Sequence, residues 1–118
     1  MSVKIYLDND FEWDFTLTHR DPNTRKIVPD TGMTNLKGWI ADREPTDSEI
    51  PPPIHTELSV DATEADQLQG TYYGTHDGDK LRTHLSSYAE NTELFFLFGD
   101  SANVLTVTKL QLRYKRLV

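Results

Sequence analysis

Leu94-Phe95-Phe96-Leu97-Phe98 is an apolar run with no polar break, and Gly99-Asp100-Ser101-Ala102-Asn103 separates it from an alternating stretch, Val104 to Leu117. An aromatic-rich run of this length bounded by turn formers reads as a core strand, and the alternation after it reads as a second strand joined to it by a tight turn. The pair predicts a β-sheet core. Within the second strand the apolar positions run Leu105, Val107 and then Leu110, Leu112, Tyr114. That change of parity predicts a bulge near Thr108.

Upstream, Val3, Ile5 and Leu7 alternate with polar neighbours, and Phe11, Trp13, Phe15 and Leu17 alternate with Glu12, Asp14 and Thr16, so the odd positions are expected to face the core. Asp21-Pro22-Asn23 and Pro29 to Gly32 read as turns, with a brief strand at Ile27 and Val28 between them. Leu36 to Asp42 is the next expected strand, with Leu36 and Ile40 on one face and Trp39 on the other. Glu44 to Pro53 holds four of the six prolines and predicts an extended, protruding loop. Strands are expected again at Ile54 to Val60 and Gly70 to His76, with one helical turn before Gln69. Asp77-Gly78 reads as a tight turn with positive φ, and the i, i+4 pair Leu81 and Leu85 favours a short helix over Asp79 to Ser87 against a strand.

A chain of 118 residues fits one domain over residues 1–118, large enough to bury a core without metal or disulfide support. Seven to nine short strands with little helix predict an all-β, antiparallel sandwich, because a helix-poor chain covers one sheet only with another. With no cysteine, neither a disulfide framework nor a thiolate site is available, and folding in a reducing cytoplasm is the expectation. Asp8 and Asp10 interrupt the N-terminal apolar residues, so neither a signal peptide nor a membrane partner is expected.

The formal charge of −7 argues against nucleic acid as a partner, which requires several cations on one face. The charge is unevenly placed. Asp42 to Asp66 carries eight acids against Arg43, whereas Lys109 to Val118 carries Lys109, Arg113, Lys115 and Arg116 with no acid. Solvated faces that keep the chain soluble produce such a pattern, and so does end-to-end docking of copies.

No motif for catalysis stands out. Asp8, Asp10, Glu12 and Asp14 repeat at every second residue, but an EF-hand loop needs glycine where this chain has Trp13, and a half-buried strand shows the same alternation. His19, His55, His76 and His84 have no metal-ligand spacing and read as surface histidines. Without a nucleophile elbow or a phosphate-cradling glycine loop, no enzyme, cofactor or metal is expected. Trp39, Tyr72 and Tyr73 suit either core packing or a stacking platform for a sugar ring, which would make the chain a carbohydrate-binding module for a host-surface glycan.

The order of features resembles the immunoglobulin-like accessory domains of tailed-bacteriophage virions, such as the N-terminal domain of baseplate upper proteins and related neck, head-completion and capsid-decoration proteins. The residues that carry the resemblance are the aromatic strand Phe11 to Leu17, the Asp21-Pro22 turn and Thr31-Gly32 leading into Leu36 to Ile40. The strand opening Gly70-Thr71-Tyr72, Leu81 to Leu85 and the closing strand pair complete them. The resemblance implies an Ig-like fold and a non-enzymatic structural role in a virion, made in the host cytoplasm and bound in multiple copies to capsid, portal, neck or tail subunits. With no fibre-forming stretch after the sandwich, a cementing role is expected rather than attachment of a tail fibre. Two contact regions are expected: the acidic, proline-stiffened loop with Glu44, Asp47, Glu49 and Pro52, and the basic strand with Lys109, Arg113, Lys115 and Arg116.

Overall fold

Side chains that alternate along short, turn-bounded segments assemble ten strands and one helix in the computed structural model, which describes residues 2–65, 70–100 and 102–114. The strands are β1 (Val3–Tyr6), β2 (Phe11–Thr16), β3 (Thr18–Arg20), β4 (Ile27–Pro29), β5 (Lys37–Ala41), β6 (Ser59–Asp61), β7 (Thr63–Glu64), β8 (Thr71–His76), β9 (Glu93–Gly99) and β10 (Val104–Arg113), with α1 (Gly78–Leu85) before β9. One sheet has the order β1-β10-β9-β5-β6, a second the order β2-β8-β7, and β3 and β4 form a hairpin. The molecule is all-β with one short helix.

The apolar run in β9 is unbroken because its two faces meet different partners. Leu94, Phe96 and Phe98 enter the main core with Ile5, Ile40, Leu110 and Leu112, while Phe95 and Leu97 join Trp39 and Ala41 on the opposite, outer face. The second sheet contributes Trp13 and Tyr72 to the main core, and α1 contributes Leu81 and Leu85. Asp77 is extended and caps the helix, its carboxylate accepting from the Asp79 amide at 2.8 Å, so the expected positive-φ turn is not formed.

At the centre, the Trp13 indole occupies a slot left by two glycines on different sheets. A Cβ on Gly74 would lie 2.3 Å from Trp13 Cζ2, and one on Gly38 would lie 2.6 Å from the same atom. Phe96 and Phe98 pack against the indole with ring centroids at 5.4 and 5.6 Å. The close approach explains why glycine stands at both strand positions, where it otherwise weakens a sheet.

His76 is a correction to the expectation of surface histidines: it is 1 % exposed. Trp13 Nε1 donates to His76 Nδ1 at 3.2 Å, and Nε2 lies 3.1 Å from the Leu58 carbonyl. An Nδ1 that accepts carries no proton, so the ring is the neutral Nε2–H form and Nε2 donates to Leu58. Burial pushes its pKa below the ordinary value of 6.5. The unfolded chain therefore takes up a proton near pH 6.5 that the folded chain refuses, and stability is expected to fall as pH drops from there toward the folded-state pKa. Urea unfolding at pH 7.5 and 5.5 is expected to show this loss, and a His76→Gln variant to show less of it.

Three further expectations are corrected. β1 pairs with β10 in parallel, so the larger sheet is mixed rather than wholly antiparallel. Ile54 to Val60 is not one strand: His55 accepts from the Glu57 amide, Thr56–Leu58 is a 3₁₀ turn that drops Leu58 into the core, and only Ser59–Asp61 pairs with β5. The ladder between β9 and β10 runs without a break from Thr106 to Gln111, and its irregularity lies at Leu105 instead of Thr108. The polar segment's end, residues 66–69, lies outside the described residues.

Candidate functional site

The outer face of the larger sheet places Trp39 of β5, Leu97 of β9 and Val107 of β10 in one transverse row, since Leu97 is the ladder partner of both its neighbours. Ala41, Phe95 and Lys109 form the next row. An apolar face on the far side of a sheet from its core must be covered or left wet. Here the Glu44–Pro53 loop covers part of it.

The loop does not protrude as expected but lies back on this face. Trp39 Nε1 donates to the Pro51 carbonyl at 3.0 Å, and Ile50 packs with Val104 against Trp39, Ala41, Phe95 and Leu97. Thr46 and Glu49 close a turn through paired backbone hydrogen bonds of 2.8 and 3.3 Å. Arg43 reaches Glu49 at 2.6 Å and Asp42 at 3.2 Å, and the Glu49 carboxylate raises the Arg43 pKa. These ion pairs are exposed and screened by solvent, so burial of Trp39 and Pro51, with Ile50 packed on the cluster, holds the loop. Asp47 and Pro52 remain exposed on its outer side.

The described basic residues of β10 are engaged within the chain. Lys109 Nζ lies 3.9 Å from Glu44, and Arg113 Nε lies 3.4 Å from Glu90. The acidic loop and the basic strand, separated in sequence, thus meet on one face through Glu44 and a half-exposed Lys109. Lys115 and Arg116 lie outside the described residues. Beyond Lys109, Val107 is 43 % exposed on the same outer side, and Leu105, at the irregularity of the ladder, is 45 % exposed. Sequence reading missed them as surface residues. Their signal was the change of parity, which records apolar residues on both faces of a regular strand.

A cleft of about 730 Å³ opens between the loop and β6, lined by Lys37, Trp39, Pro51, Pro53, Ser59 and Asp61. The three rings of the glycan reading do not share a face. Tyr72 is buried, its hydroxyl donating to the Asp30 carbonyl and accepting from the Met33 amide, and burial pushes its pKa up. Trp39 is covered by the loop on the larger sheet, and Tyr73 alone is exposed, on the smaller one.

The alternating acids do not act together either. Asp8 ion-pairs with Arg82, whose hydrogen bond lowers the Asp8 pKa, and Asp10 accepts from the Gly78 amide at 2.8 Å. Among the described residues no three metal-ligating groups converge, and no helix is long and apolar enough to cross a membrane. The chain matches no family model, no curated protein and no solved structure with which it was compared.

Proposed function

We propose that this chain is a non-enzymatic structural protein of a tailed-phage particle, an Ig-like β-sandwich that binds capsid, neck or tail subunits in multiple copies and stabilises the assembly. The observation that carries the docking role is the outer face of the larger sheet, where Val107 stands exposed in one row with Leu97 and Trp39 of the apolar cluster and Leu105 is exposed two residues along the same strand. The loop over that cluster is already ordered by Trp39 and Pro51, which lowers the conformational cost of docking. Asp47 and Pro52 on the loop's outer side offer a partner an acidic, stiff rim. The phage assignment rests on the layout of strands and turns from Phe11 to the closing strand pair.

Lysine crosslinking and mass spectrometry on assembled particles test this reading. Crosslinks from Lys37 or Lys109 to other particle subunits are expected, since both side chains are about half exposed at this face. Particles that lack the chain, or that contain it without any such crosslink, overturn the proposal.

A further inference from the structure

β10 is covered by β1 only along Leu110–Arg113. Over Val104–Lys109, no strand lies on that side of β10 among the described residues. Alternate residues of this stretch therefore present their N–H and C=O groups to an open edge. The transverse row on the outer face ends at the same place: Leu97 is fully buried, Trp39 is 6 % exposed, and Val107 is 43 % exposed. An apolar row and a hydrogen-bond ladder both stop at one boundary.

We infer that two copies of this chain pair antiparallel through the Val104–Lys109 edge, with Val107 opposite Val107 across a two-fold axis. The outer row then continues from Trp39, Leu97 and Val107 of one copy into Val107, Leu97 and Trp39 of the other. The register follows from the strand itself. A shift by one residue would set the outer face of one copy beside the inner face of the other. Centring on Thr108 or Lys109 would run the partner strand into Leu110–Arg113, which β1 already covers, and centring on Thr106 or Leu105 would set the irregularity at Leu105 at or beside the axis. With Val107 at the axis, Thr106 faces Thr108 and Leu105 faces Lys109, whose charge is already neighboured by its own Glu44 at 3.9 Å. No like charges oppose one another, and the interface is isologous, as a closed dimer requires. The paired segment is short, so the dimer is weak and concentration-dependent.

The inference rests on the reading of this face as a docking surface, and sedimentation velocity on the full chain from about 10 μM to about 1 mM tests it separately. A monomer–dimer equilibrium is expected, with Val107→Lys raising the dissociation constant about tenfold or more. Because Val107 is exposed, that variant is expected to keep the wild-type melting temperature. Ile27→Lys, at an exposed apolar position of β4 away from the edge, is expected to leave the dimer unchanged. A chain that stays monomeric to the highest concentration overturns the pairing, as does a dimer that Val107→Lys does not weaken. In either case particle crosslinks from Lys37 or Lys109 would still support docking on other subunits.

Discussion

Trp13→Ala is expected to cost the fold about 3–5 kcal/mol, a large share of the roughly 5–15 kcal/mol that holds a small domain together. Three losses combine. The indole is 7 % exposed and packs against Phe96 and Phe98, it fills the slot between Gly38 and Gly74, and its N–H is the donor to buried His76. The substitution leaves a cavity and an imidazole nitrogen without its donor. Gly74→Ala approaches the same slot from the other side, and forcing a methyl group to 2.3 Å from the indole is expected to cost about 1–3 kcal/mol. In a Trp13→Ala background that cost should largely vanish. Urea unfolding followed by circular dichroism measures both, and strictly additive effects in the double variant would show that the slot does not exist.

Trp39→Ala is expected to cost a comparable amount, about 3–5 kcal/mol, and to release the Glu44–Pro53 loop. Trp39 both fills the outer cluster and donates to the Pro51 carbonyl, so its removal leaves Ile50 with less apolar surface to cover. Limited digestion with a glutamate-specific protease reads the loop directly, since the Glu49–Ile50 bond lies within it. The wild-type chain should resist cleavage there while Trp39→Ala is cut readily. Trp39→Phe keeps a ring but loses the N–H, and a smaller cost near 1 kcal/mol is expected. Equal cleavage of wild type and Trp39→Ala would mean that the loop is not pinned.

Much of the fold is legible in the sequence where local chemistry decides it. The apolar run of β9, the odd-numbered aromatics of β2, the Asp21-Pro22-Asn23 turn and the i, i+4 leucines of α1 each carry their own signal. Asp21 Oδ1 accepts from the Asn23 and Thr24 amides, which is the local bonding that such a turn predicts. What failed depends on partners distant in sequence. Alternation at Ile54 to Val60 looks like a strand, yet Leu58 reaches the core through a 3₁₀ turn that brings its carbonyl to His76. Nothing near His76 marks it as buried, because its donor, Trp13, is 63 residues away. The parallel pairing of β1 with β10 joins the two ends of the chain and has no local signature.

The candidate site shows the same division. The stiffness of the proline-rich loop and the basic character of β10 were visible in composition, but their meeting through Glu44 and Lys109 was not. The parity change in β10 is legible in the sequence and predicts a bulge near Thr108. In the structure the strand stays regular there, and the parity change marks the exposed pair Leu105 and Val107.

Residue-resolved amide hydrogen exchange, comparing the dilute chain with the chain in assembled particles, tests the docking surface most directly. In dilute solution the ladder from Phe95 to Phe98 should be protected, while the outward-facing amides of Val104–Lys109 exchange quickly. Assembly should slow exchange at Val104–Lys109. Exchange there that is as fast in the particle as in dilute solution would place docking elsewhere and contradict this use of the outer face.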